Sequence, residues 1–178
     1  MRILWRFLLV VLVALLVMWS FRAAAFRSLV HYKIVGQRAP VPAFALSTAQ
    51  PHGLDEAIAV ALDSTAARLH FSTGKVSSDP ALLMHGGPAN CMGYAALCAA
   101  LLKGQLEAAA LGDRYVVEAV IGKLYVGDQD LHAFFTTPFW KDHDVVRITD
   151  LTSSEVIVLD PALYDHLEIG RVSINSKN

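Results

Sequence analysis

Asn90-Cys91-Met92-Gly93-Tyr94-Ala95-Ala96-Leu97-Cys98-Ala99-Ala100-Leu101-Leu102-Lys103-Gly104 is the stretch on which the reading of this chain turns. Asn is a favoured N-cap, Lys suits a last turn, and Gly suits the position just beyond it, so the spacing predicts a helix from Cys91 to Lys103 closed by Gly104. The segment is apolar nearly all round and rich in Ala. That composition predicts a buried central helix with other elements packed close to its backbone. Cys91 opens the helix, where free backbone N–H groups and the helix dipole favour the thiolate and could also hold an oxyanion. Cys98 lies seven residues on, in the helix interior, and reads as a small packing residue.

Downstream, everything reads as strands. Tyr115–Ile121 is one, with Lys123–Val126 its continuation past Gly122. Asp144–Thr149 is a second and Glu155–Leu159 a third. Asp150–Ser154 is a short polar connection of the hairpin type. That hairpin carries His143 just before its first arm and Asp160 just after its second, at the same end of the sheet. An imidazole and the carboxylate that orients it need that juxtaposition, and a thiol nucleophile needs both.

Upstream, Leu54, Ile58, Ala61, Leu62, Thr65 and Leu69 recur at helical spacing, with Asp55 and Glu56 in the first turn, and predict a helix over 54–70. Residues 72–88 read as loop, with a short helical turn at Ala81–Met84. Residues 27–52 hold Pro40, Pro42 and Pro51 around Ser47-Thr48, and read as a tether with little regular structure. The folded body is then expected from Gly53. Helices first and antiparallel strands later predict an α+β domain over 53–178.

Phe7 to Trp19 is thirteen residues without a polar side chain. Extended from Ile3 to Phe21, the segment spans about 28 Å as a helix, near the thickness of a hydrocarbon core. Arg2 and Arg6 precede it, and Trp5 and Trp19 bracket it as interfacial aromatics do. Residues 1–26 therefore read as a signal anchor, or as a signal peptide cut after Ala23-Ala24-Ala25. The expectation is a single-pass membrane protein with its body outside the cytoplasm, secreted if the segment is cleaved.

Composition sets the outer bounds. Hydrophobic residues make up 54% of the 178 and charged residues 17%, which excludes disorder and offers nothing for nucleic acid. The net charge of -1 hides an asymmetry: residues 1–54 contain six basic and no acidic side chains, and the remainder is acidic. A basic front beside an apolar span favours anionic headgroups. Two cysteines exclude a disulfide scaffold and a four-cysteine zinc site. No histidine or phosphate-loop motif calls for a metal or cofactor, although the loop acids Asp128 and Asp130 would permit a weak calcium site.

A cysteine at a helix start, then a strand, then His and Asp on two arms of a hairpin resembles the transglutaminase-like branch of the papain-type cysteine hydrolases. The matching stretches are Asn90–Leu97, His143–Ile148 and Val156–Pro161, and the resemblance covers about residues 54–163. It implies a papain- or transglutaminase-like core, with the Cys-bearing helix on an antiparallel sheet. It also implies a triad of Cys91, His143 and Asp160 that forms a thioester with a peptide or protein substrate. Oxyanion donors would be the Cys91 N–H with His85 or Asn90. His132, in His132-Ala133-Phe134, is the alternative base, farther from the Asp-bearing strand and with Pro138 still ahead. The family often has Gly two residues before Cys and Trp two after His; Ala89 and Val145 stand there. Those departures motivate the alternative of a non-catalytic domain of the same fold that binds a peptide or partner at the membrane.

Overall fold

The computed structural model describes residues 2–46, 50–135 and 142–174. Ser47-Thr48 and Pro138 lie outside them. The architecture is α+β. An N-terminal helix α1 (Arg2–Leu29) leads into strand β1 (Val30–Gln37). Helix α2 (Leu54–Ala66), the short strand β2 (Leu69–Phe71), helix α3 (Pro80–Leu83) and strand β3 (Gly87–Ala89) follow. Helix α4 (Cys91–Ala108) then precedes strands β4 (Tyr115–Val126), β5 (Gln129–Asp130), β6 (His143–Asp150) and β7 (Val156–Leu159). Helix α5 (Pro161–Leu167) and strand β8 (Arg171–Ile174) complete the order.

The sheet closes on itself. Its order is β1-β8-β7-β6-β4-β5, and β1 also pairs antiparallel with β4 from Val30↔Val126 to Gln37↔Val120. Strands β1, β8, β7, β6 and β4 thus form a ring without a free edge, which removes the aggregation hazard of an open sheet. All its pairings are antiparallel except β1 with β8.

Alternation along the strands sorts the side chains into two cores. Inside the ring lie Tyr32, Val120, Val145, Val158 and Val172, with Phe26 and Leu124 packed against them. Outside it, Val117, Ala119, Val146, Ile148 and Leu159 meet α4, which is backed by α2. Gly122 makes the inner packing possible: a Cβ there would stand 3.2 Å from the Tyr32 ring.

Five expectations are corrected. The tether over 27–52 contains β1, whose alternation Val30-His31-Tyr32-Lys33-Ile34 seats every second side chain in the ring, so the body begins well before Gly53. Helix α4 runs past Gly104 to Ala108. Gly104 is there for close approach, because a Cβ on it would fall 2.1 Å from the Phe44 carbonyl oxygen. The chain after α4 is not all strand: Pro161 stops β7 and opens α5, with Asp160 as N-cap accepting the Leu163 N–H at 2.9 Å. The loop 72–88 ends in β3, which pairs parallel with β2, and α2 stops at Ala66 rather than at 70.

Within α1, Leu4–Leu29 is long and apolar enough to cross a membrane, and its most apolar window has no buried residue. The helix continues through Ala23-Ala24-Ala25, and its last turns touch the body. Arg22 donates to the Leu167 carbonyl at 2.7 Å and pairs with Glu168; the Arg27 carbonyl accepts from Ser173 Oγ at 2.8 Å. Such a helix suits a membrane anchor or a signal sequence.

These contacts separate two truncations. A chain starting at residue 28 keeps β1 and the ring, and should melt cooperatively with native near-UV circular dichroism. A chain starting at residue 53 loses β1 and Tyr32, opens the ring, and should lose both signals. A cooperative melt for the shorter chain would contradict the closed ring.

Candidate active site

Cys91, His143 and Asp160 line one cavity of about 530 Å³. Three elements bring them there. Helix α4 starts at Cys91 because Asn90 caps it, its side-chain oxygen accepting the Gly93 N–H at 3.2 Å. Gly122↔His143 pairing puts His143 at the first position of β6. Val146 pairs with Leu159, and continuing that register by one residue sets Asp160 beside Val145. On that face His143 and Asp160 are diagonal neighbours, within reach of a long side chain.

His143 Nε2 lies 2.9 Å from Asp160 Oδ2. That bond commits one ring nitrogen to the carboxylate and leaves Nδ1 for another partner. Asp160 is 1% exposed. Its Oδ2 also accepts the Tyr32 hydroxyl at 2.7 Å, while Oδ1 accepts the Leu163 N–H. Burial alone would raise its pKa. The positive His143 ring and the bonds from His143, Tyr32 and Leu163 outweigh burial and hold it below the usual carboxylate range. Burial likewise works to lower the His143 value. The Asp160 charge and hydrogen bond, with a smaller contribution from nearby Cys91, carry it well above 6.5. The same carboxylate and burial push the Tyr32 hydroxyl far up, so it stays a donor.

On the other side of the thiol stands Asp144, also 1% exposed. It follows His143 in the strand and so points to the opposite face, toward α4. Cys91 Sγ donates to Asp144 Oδ2 at 3.8 Å. Arg38 grips the same carboxylate from Nε at 2.5 Å and from its terminal nitrogen at 3.0 Å. The fork compensates a buried charge that would otherwise oppose a neighbouring thiolate.

His85 is exposed and does not line the cavity; the loop it sits on turns away through Gly86, whose φ of 87° is left-handed. Asn90 spends its side-chain oxygen on the α4 cap. His132 lines the cavity from the 3₁₀ turn Leu131–Phe134, but Asp160 is bonded to His143. Asp130 is held by Lys123 at 3.1 Å and caps that turn through the His132 N–H. Among the described residues no group of three or more His, Cys, Asp or Glu side chains converges as metal ligands do. Cys98 is fully buried, with its thiol pushed up to about 12 by burial.

Sequence reasoning missed Tyr32, Arg38 and Asp144. The signal for Tyr32 was the alternation of β1, masked by the neighbouring prolines. Asp144 carried no signal beyond strand parity. Comparison with family models, with curated proteins and with solved structures gives no match.

The linked pair gives a pH dependence with a definite sign. The folded-state pKa of His143 is raised, so its stabilisation is complete below about pH 6.5 and is lost as pH climbs through the raised value. Asp160 is depressed, so its stabilisation is present above about pH 3.9 and is lost as pH falls through the depressed value. Asp160→Asn should bring the His143 titration, followed by NMR of the ring protons, down toward or below 6.5. An unchanged titration would contradict the pairing.

Proposed function

We propose that this chain is a membrane-tethered cysteine hydrolase of the transglutaminase-like kind, with Cys91 as nucleophile, His143 as base and Asp160 as the group that orients it. The observation that carries the reading is the bond of His143 Nε2 to a fully buried Asp160, with Cys91, at the start of α4, lining the same cavity as both. A structural histidine on the surface has no need of a buried carboxylate supported by two further donors.

In this reading His143 Nδ1 takes the thiol proton and Sγ attacks the carbonyl carbon of an ester or amide. The intrahelical pattern leaves the Cys91 N–H at the first turn of α4 without a helical acceptor, aimed where an oxyanion develops. The carbonyl re-forms, the bond to the leaving group breaks, and the imidazolium gives its proton to that group. Water, deprotonated by His143, then cleaves the thioester and restores the thiol. Asp160 stabilises the imidazolium at both stages, and Tyr32 keeps Asp160 in place. Extension of α1 through Ala23-Ala24-Ala25 and its contacts with the body support the anchor over the cleaved signal.

One observation favours the second reading, a non-catalytic domain that binds a partner: the thiol hydrogen of Cys91 has a carboxylate acceptor in Asp144. Iodoacetamide labelling with mass spectrometry separates the two. A working triad gives fast labelling of Cys91 at neutral pH, slowed about tenfold or more in His143→Ala, with Cys98 unlabelled. Arg38→Met should also slow it, because Asp144 then stands uncompensated beside the thiol. Cys91→Ala should abolish turnover of an activated ester, and Asp160→Asn should lower it on the order of 10²-fold or more. Slow labelling that ignores His143→Ala would support the binding module.

A further inference from the structure

The cavity beside Cys91 is not built like a peptide groove. Around the triad its walls are Phe26, Phe71, Leu124, Leu131, Leu163 and Leu167, drawn from α1, β2, β4, the 3₁₀ turn and α5. Among the described residues, the polar groups that line it are few: the triad, Tyr32, His132, Asp142 and His166. An extended peptide is held by main-chain hydrogen bonds to a strand edge; the ring, closed by β1, offers none, and the edge left beside the cavity is that of β2, three residues long. A volume of about 530 Å³ falls within the range of pockets that enclose a whole small ligand.

One wall belongs to the apolar N-terminal helix. Phe26 lines the cavity and packs into the ring. It lies seven residues beyond Trp19, the aromatic that ends the unbroken apolar run, or about 10 Å along a helix. The headgroup zone of a bilayer is about 5–8 Å deep on each side, so Phe26 stands at its outer boundary. Leu167, whose carbonyl accepts from Arg22, lines the same cavity as Phe26, so the cavity is fixed to the membrane-proximal end of α1. Arg27 is exposed at that level and suits an anionic lipid surface.

We infer that the substrate of this site is a long-chain acyl ester of a membrane lipid, whose acyl chain fills the apolar cavity while its carbonyl meets Cys91. This rests on the triad reading above. Sγ of Cys91 bonds to the acyl carbon, the carbon–oxygen bond to the lipid alcohol breaks, and His143 passes the thiol proton to the departing alkoxide. Water then releases the fatty acid and regenerates the thiol, so no oxidant or further reactant is needed.

The test uses the full chain in detergent micelles with p-nitrophenyl acetate, octanoate and palmitate. Each buried methylene adds to transition-state binding, so kcat/KM should rise at least about 10²-fold from acetate to the longer esters. Acid-quenched protein should carry the acyl mass on Cys91, and phosphatidylglycerol vesicles should release free fatty acid. Leu131→Trp and, from a different wall element, Leu167→Trp should each lower the long-to-short ratio about tenfold, with a cooperative melt verifying the fold. Cys91-dependent turnover with no gain from chain length would overturn the inference and leave the triad standing. So would cleavage of an apolar peptide anilide with none of the palmitoyl ester. Turnover of an S-palmitoyl peptide without release from vesicles would overturn the lipid as source. Ester turnover unaffected by Cys91→Ala would overturn the triad, and this inference with it.

Discussion

A buried carboxylate must be fully satisfied or it destabilises the fold that buries it. Asp160 meets this constraint with donors from three separate parts of the chain: His143 at the start of β6, Tyr32 from β1, and the Leu163 N–H of α5. Each donor depends on a different structural commitment. Tyr32 reaches Asp160 only because β1 closes the ring. His143 reaches it only in the observed register of β6 and β7, since a one-residue slip would turn its side chain to the α4 face. Leu163 reaches it because Pro161 starts a helix directly after β7. The carboxylate that would orient a catalytic imidazole is thus also the point where barrel, hairpin and helix are fastened together.

The faces of the sheet divide the labour around Cys91. Residue parity in β6 sends His143 to the ring interior and Asp144 to α4, so the thiol at the start of α4 shares a cavity with the imidazole and bonds the carboxylate. Arg38, just past the end of β1, neutralises that carboxylate. Strand β1 therefore supplies both Tyr32 and, at its end, Arg38. The segment that joins the apolar helix to the body is the one that completes the site.

That segment was the part least legible in the sequence. The Cys-bearing helix could be read because its cap and its apolar surface are local properties, and the hairpin because its strands are β-branched with a polar turn. His143 and Asp160 followed from the hairpin. Strand β1 is eight residues long between a membrane-type helix and a proline-containing stretch, and its partners β4 and β8 lie about 90 and 140 residues away. No local pattern discloses such pairing. Gly104 misled for a related reason: glycine after lysine reads as a helix end, whereas here it admits the backbone of Phe44, which is distant in sequence. The pairing of Arg38 with Asp144 is likewise tertiary, and both residues looked like ordinary surface charges.

On the proposed function, Cys91, activated by His143 and Asp160, forms an acyl-enzyme. The direct measurement is rapid mixing with an activated ester, acid quench within the first turnover, and intact-mass and peptide analysis. A working triad gives one acyl group, on Cys91, released by hydroxylamine, absent in Cys91→Ala and slow to form in His143→Ala. A protein that gains no adduct, or gains one elsewhere, or forms it at the same rate without His143, would contradict it.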